Sequence, residues 1–354
     1  MNLNTLKHGI GKLDVVVFSR ERNSVLLESL EIWKRQPFNF IILHNSEHSL
    51  PADLISKNMV YKHLPRLSYG IRAGIAADLI SSEFAVILAD DEMLLESGVD
   101  AMIKNLSSII DLASIGGKVL GIHKYGEITT GGFAYQNMYS YRNFESNILD
   151  RLDKHLVEPI DGEIPRASMY RIMRSPHMKS ILTLFSKVAF VESPYVYEIV
   201  GEFAVGAIGP TTTIGNLYWI RNWQNRMVQH KDWNRSLNFS QWWEDQTNVQ
   251  ERQMLIQLLS EYANINPIDT ASIIDKYLTR RLFYEANGNK QASYLKLLLA
   301  RVKRVIPGIH CFAQKPKNIR QILEQENLEG QNTEKEAIAR LCRQLLGKKG
   351  FAEQ

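Results

Sequence analysis

The stretch FAVILADDEML, residues 84–94, decides the fold. Six apolar residues, Phe84 to Ala89, run straight into Asp90-Asp91-Glu92, and the chain turns apolar again at Met93. A short apolar run bounded by charge reads as a buried strand. Three adjacent carboxylates repel one another unless a cation, a proton or a neighbouring base compensates them. The plain reading is a strand end dissolving into a solvated loop. The sharper reading places the triplet at the C-terminal edge of a parallel sheet, where such sheets hold their ligands.

The flanking sequence favours the second reading. LDVVVFS (13–19) reads as a buried strand. NSVLLESLEIWKRQ (23–36) reads as a helix capped by Asn23 or Ser24, with Leu26, Leu27, Leu30 and Trp33 on one face. FNFIILHNS (38–46) is a second strand, MVYKHLP (59–65) a third, SYGIRAGIAADLISS (68–82) a helix, and 83–91 the strand that meets the triplet. Strands alternating with helices in this way predict a doubly wound α/β domain with a mainly parallel central sheet. A helix over 99–113 follows. Irregular strands, loops and short helices are expected over 115–180. A loop turning helical is expected over 192–209, a strand over 211–223, and helices from about 235, including 240–263.

Composition excludes more than it names. The 42 Lys and Arg nearly balance 38 Asp and Glu, giving a net charge of +4, which is no signature of nucleic-acid binding. Two cysteines, Cys311 and Cys342, suggest neither a disulfide framework nor a zinc site, and fit a reducing compartment. The N-terminus lacks the apolar core of a signal peptide, and no segment reaches the roughly 18–20 apolar residues of a membrane span. The expectation is a cytoplasmic protein. The basic amphipathic stretch 294–304, with Lys296, Arg301, Lys303 and Arg304, suits either an anionic membrane surface at the inner face or packing with a solvated cationic side.

Carboxylates at the end of a central strand are placed to hold Mg²⁺ or Mn²⁺, hard ions that take oxygen ligands together with substrate phosphates. Such an ion would neutralise a diphosphate leaving group. The order of strand VVVFSRER, helix, strand IILHNS, helix YGIRAGIAADLI and strand FAVILADDE resembles a family 2-like glycosyltransferase of the GT-A type, in a divergent bacterial branch with an ADDD-like motif. The resemblance covers roughly 13–230 and is strongest before 100. It implies a GT-A-like domain over 1–234, with a donor part at about 13–115 and an acceptor part at about 116–234. A helical C-terminal region over 235–354 follows it.

What the resemblance implies residue by residue starts at the triplet. Asp90-Asp91-Glu92 matches the Asp-x-Asp motif, with Glu92 where the family places its last Asp, so Asp90, Asp91 and Glu92 become metal ligands and Asp90 also faces the nucleotide. Asp91 joins the catalytic set. Ser19 and Arg20 fall where the nucleotide pocket begins. Asn45 stands where many members place an Asp against the base or ribose, and Arg72 matches a residue near the diphosphate. Glu198 in YVYEIVGEF matches the general base, with Glu202 in reserve. His230 would complete the metal shell, with Arg221 a nearby cation. Separately from the family, Tyr170, Arg171 and Arg174 suit an anionic or sugar acceptor, as do His123, Tyr135 and Tyr139.

The implied reaction moves a sugar from a nucleotide-sugar donor to a hydroxyl of a carbohydrate or lipid-linked saccharide acceptor, metal-assisted and inverting, in bacterial surface polysaccharide synthesis. No nucleic-acid partner is expected, and a homo-oligomer stays open. The competing readings are a nucleotidyltransferase, disfavoured because SRERNS lacks glycines, and a non-catalytic carbohydrate-binding or scaffolding protein with a degenerate acidic motif.

Overall fold

Runs of Val, Ile and Phe that are apolar on both faces suit strands covered from both sides, as parallel sheets require. The structure, a computed structural model, describes residues 12–125, 128–158, 168–191, 193–222, 239–280 and 317–318. Four strands, β1 (Leu13–Arg20), β2 (Asn39–Asn45), β3 (Met59–His63) and β4 (Phe84–Ala89), lie parallel in the order β3-β2-β1-β4. Val15 sits between Phe40 and Val86.

The sheet continues with β5 (Met93–Leu94), β6 (Ser114–Tyr125), β7 (Ile128–Ala134), β8 (Arg142–Asn143), β9 (Ile172–Arg174), β10 (Thr211–Asn222) and β11 (Lys317–Asn318). Here β6 and β10 are parallel to each other, while β9 bridges β4 and β6 antiparallel to both. The fold is thus mixed α/β with parallel central strands, as the sequence predicts.

The period of two along each strand divides the core. Val15, Val17, Ile42, Val86 and Leu88 pack with α1 (Asn23–Trp33) and α3 (Glu96–Ser108). Val16, Ile41, Leu43, Ala85 and Ile87 pack on the opposite side. That side is covered by α2 (Tyr69–Leu79), α5 (Ser175–Lys187) and α6 (Pro194–Ile208), with α4 (Ile148–Leu156) against α6. Gly70 lets α2 approach closely, since a Cβ there would stand 2.7 Å from the Phe185 carbonyl. At the opposite edge from the acidic triplet, buried Asp14 accepts hydrogen bonds from the Ser81 and Ser82 amides (2.6 and 2.8 Å), the Ser82 hydroxyl (2.6 Å) and the Asn39 amide (3.3 Å).

Several boundaries differ from the sequence reading for identifiable reasons. The cap position of α1 is Arg22, not Asn23 or Ser24, and makes no capping bond. The Asn23 side-chain oxygen Oδ1 is instead engaged by His44 Nε2 at 2.9 Å. The third helix runs from Glu96 to Ser108 rather than 99–113. Its C-terminal region is closed by Arg174, whose guanidinium donates to the carbonyls of Leu106 (2.6 Å), Ile109 and Leu112. The stretch 115–180 holds most of a twelve-residue strand, β6, and the start of α5. Polar and glycine interruptions hide both. The helix expected over 240–263 breaks into α7 (Phe239–Glu244) and α8 (Val249–Ala263), because Asp245 accepts from the Thr247 amide and opens a turn. Residues 267–280 form α9. No helix among the described residues is long and apolar enough to cross a membrane. The 294–304 stretch, Cys311 and Cys342 lie outside the described residues.

Candidate functional site

Strand order reverses between β1 and β4: β2 and β3 follow β1 on one side, and β4 lies on the other. A crevice at such a switch point, outside the carboxyl ends of the strands, is where open α/β sheets bind ligands. The acidic triplet leaves β4 at this place and returns as β5, which pairs with β10 through Leu94 and Trp219.

Helix α1 fixes the backbone of the turn. Ser29 Oγ donates to the Asp90 carbonyl (2.7 Å), Trp33 Nε1 to the Glu92 carbonyl (3.1 Å) and Gln36 Nε2 to the Leu94 carbonyl (2.6 Å). Ser29 and Trp33 lie one turn apart on one face of α1, a rise of about 6 Å, and Gln36 follows just past the helix's C-terminal end. Alternate residues of an extended chain advance about 6.6 Å. The helix turn therefore keeps pace with the extended chain between the bonds at Asp90 and Glu92, and Gln36 adds the bond at Leu94.

The side chains of the triplet turn to different partners. Asp90 accepts from Ser19 Oγ (2.7 Å) and pairs with Arg22 (2.8 Å), while Asp91 pairs with the other arm of the same guanidinium (2.7 Å). Glu92 accepts from Trp219 Nε1 (2.8 Å) and the Ala89 amide (3.3 Å), with Arg221 Nε at 3.3 Å. All three acids are buried. Burial pushes Asp90 up to about 6, partly opposed by Arg22 and raised again by Asp91. Burial, then Asp91, push Glu92 upward, against the pull of Arg221. Burial works against the charge on Arg22, yet Asp91 and Asp90 outweigh it and raise its pKa. The compensation that three adjacent carboxylates demand is thus supplied by Arg22, Arg221 and raised proton affinity.

The remaining candidates sort by what they touch. Arg20 ends β1 and is exposed. Arg72 is buried and donates to the carbonyls of Ser19 and Leu43 (both 3.1 Å), with its Nε unpartnered and Phe18 beneath its guanidinium. Burial draws its pKa down to about 10. Asn45 uses both ends of its amide on the following loop, donating to the Leu67 carbonyl and accepting from the Arg66 amide (2.9 Å each). Beside it, His44 lies between Asn23 and Tyr61, and burial lowers its pKa to about 4, helped by His63 and Arg72.

Glu198 is exposed on α6, not partly buried as its apolar neighbours in sequence suggest; the helix turns them inward and this residue outward. The charges of Glu198 and of the acidic turn both act on Tyr170. Burial raises that phenol well above its ordinary value, and Glu92, Tyr69, Glu198 and Asp91 all add to the shift. Its ring stacks on Trp219 at 4.6 Å, and Tyr135, at a left-handed φ of 53°, stacks on Trp219 at 5.9 Å.

Glu202 is buried and held by His155 Nε2 (3.0 Å) and the Ser168 amide (3.1 Å), in a network that continues to Tyr141. Arg171 is spent on Thr212 and Thr213, Arg174 on α3, and Tyr139 on the Val119 backbone. Those bonds occupy groups assigned to an acceptor. His230 and the side chain of His123 lie outside the described residues.

Mg²⁺ or Mn²⁺ would need converging oxygen ligands. Among the described residues no three Asp, Glu, His or Cys side chains gather in that way. Both oxygens of Asp90, both of Glu92 and Oδ2 of Asp91 already have protein donors. The side chains as placed do not fit a metal cage.

The sequence reading missed Arg22, Ser29, Trp33, Gln36 and Trp219. Arg22 alone had a usable signal, since it lies in the segment SRER that follows the neighbouring strand.

No family model matches the sequence, and no curated protein matches it. Among solved structures, the chain is similar to residues 1–349 of Staphylococcus aureus TarS, with 11% identity, 78% of this chain and 74% of that one covered, and a TM-score of 0.46. The same segment in complex with UDP-GlcNAc gives 13% identity, 78% and 92% coverage and a TM-score of 0.44. In complex with UDP it gives 12%, 78%, 74% and 0.44. At this identity and TM-score the likeness is one of general chain path, and it carries no residue's role across.

Proposed function

We propose that this chain transfers a sugar from a nucleotide-sugar donor to a hydroxyl of a carbohydrate acceptor. The observation that carries the reading is the switch point between β1 and β4, where buried carboxylates orient Arg22 and Arg221 and Arg20 ends β1. Arginines fixed at the carboxyl ends of parallel strands suit a diphosphate, which takes bidentate guanidinium hydrogen bonds.

In the proposed reaction Glu198 takes the proton of the acceptor hydroxyl. The oxygen then bonds to the anomeric carbon as the bond from that carbon to the diphosphate breaks, and the electron pair leaves with the nucleoside diphosphate. The transition state is oxocarbenium-like. Exposure of Glu198 leaves it reachable by an acceptor, which supports this role. Attack from the face opposite the leaving group inverts the anomeric centre.

A non-catalytic carbohydrate-binding reading has one observation in its favour: Asp90 and Glu92 are already occupied by protein donors. The two readings part in a thermal-stability series with UDP, GDP, dTDP and CDP. A ligand at ten times its Kd stabilises the native state by about 1.4 kcal/mol. A rise with one diphosphate supports the transferase. No rise with any of them, at millimolar concentration, removes it.

A further inference from the structure

We propose that Arg22 takes the place of a divalent cation at the acidic turn, so that the chain binds its nucleoside diphosphate without metal. The inference rests on the glycosyltransferase reading and names how that site holds its anionic ligand.

The guanidinium of Arg22 spans the two carboxylates, with one nitrogen 2.8 Å from Asp90 Oδ1 and the other 2.7 Å from Asp91 Oδ2. A divalent ion seated between those two oxygens has to displace it first. Local structure aims Arg22 there. Glu21 adopts a left-handed φ of 52°, which non-glycine residues rarely adopt, and its amide is tied to the Asn45 carbonyl at 3.0 Å. The chain therefore turns sharply out of β1 and starts α1 with Arg22 over the switch point.

Protein cations pair with all three acids of the turn. Asp90, Asp91 and Glu92 stand against Arg22 and Arg221, which pair with them. Arg72 donates to two main-chain carbonyls beneath β1 and β2, and Arg20 ends β1. Arg20 and Arg72 thus add positive charge at the end of β1, which suits an anionic diphosphate. A guanidinium has five N–H donors. Two are directed at the aspartates, and the planar fork keeps the others in a fixed relation to them.

The test measures UDP, GDP, dTDP and CDP binding to the full chain by calorimetry, in EDTA and in millimolar Mn²⁺, together with Mn²⁺ alone by electron paramagnetic resonance. The wild type should bind one diphosphate within about twofold in the two conditions and should not take up Mn²⁺ by itself. Arg22→Ala should weaken binding in EDTA by about tenfold or more, the size of a lost charge-assisted pair. It should also gain affinity for Mn²⁺, because the aspartates are uncovered. If that variant fails to fold, Arg22→Lys keeps a cation without the fork and should lose several-fold.

Wild-type binding that appears only with Mn²⁺ overturns the proposal and leaves the transferase reading standing. So does nucleotide affinity in EDTA that is unchanged in both variants. Absence of binding to every diphosphate in both conditions removes the transferase reading and the proposal together.

Discussion

Removing the hydroxyl of Ser29 tests whether α1 holds the acidic turn. Ser29 is buried, and its Oγ donates at 2.7 Å to the Asp90 carbonyl. Ser29→Ala deletes that donor with almost no change in volume. A buried acceptor stripped of its partner costs about 1–3 kcal/mol, so about 1.5 kcal/mol is expected here. Trp33→Phe removes the bond to the Glu92 carbonyl and part of a fully buried ring stacked on Phe40. Its expected loss is about 3 kcal/mol, from the bond and the space left behind. Both bonds anchor one turn, so the double variant should depart from additivity by about 0.5 kcal/mol or more. Urea unfolding followed by far-ultraviolet circular dichroism measures all three. Ser29→Thr, which keeps a hydroxyl, should recover most of the single loss. A Ser29→Ala variant within about 0.3 kcal/mol of wild type, or strict additivity in the double, would show that the bonds do not hold the turn.

Asp14→Ala should destabilise the chain by about 3 kcal/mol, because the Ser81 and Ser82 amides lose a shared buried acceptor, while diphosphate affinity stays unchanged at the far edge of the sheet; urea unfolding and calorimetry read the two effects. The pKa of His44 is about 4 when folded, against about 6.5 unfolded, so the unfolded chain takes up the proton first as pH falls. Stability should therefore drop from about pH 6.5 down to about 4, by up to about 3 kcal/mol in all and about 2 kcal/mol by pH 5. His44→Gln should flatten the unfolding free energy between pH 7 and 5, and an equal slope in both proteins would refute the assignment. Glu198→Gln should leave diphosphate affinity intact and lower turnover by about 10²–10⁴-fold, the usual contribution of a general base; full turnover would remove Glu198 from that role.

The donor half was legible because its signals are local. Strands β1, β2 and β4 are mostly apolar runs, β3 alternates, and α1 keeps a one-sided stripe, so β1 to β4 and the place of the triplet followed from pattern alone. Strand β6 escaped because Gly116, Gly117 and Lys118 interrupt its apolar sequence, while it is held by pairing with β10, about a hundred residues away, through a ladder with two register shifts. The site was half legible for the same reason. Crowded carboxylates announce that they need compensation, and the sequence cannot say whether it comes from a metal, a proton or an arginine. Arg22 pairs across sixty-nine residues and Trp219 reaches Glu92 across one hundred and twenty-seven. Asn23 looked like a cap because its type suits one, and tertiary pairing with His44 claimed it instead.

The arrangement also explains why the acids are three and adjacent. A lone arginine at the end of a sheet samples many rotamers, and fixing it costs up to about 2 kcal/mol of side-chain entropy. Two consecutive carboxylates on a turn clamped by α1 hold both arms of Arg22 at once. The third, Glu92, points the other way and orients Arg221 and Trp219. Charges 4 Å apart interact by about 4 kcal/mol at an effective dielectric of 20, so uncompensated acids here would repel any phosphate. With the arginines drawn in, the same acids preorganise cations for it. In this reading the triplet acts on the diphosphate through the side chains it positions, and the opening puzzle of a strand driven into carboxylates resolves into a strand that ends by aiming arginines.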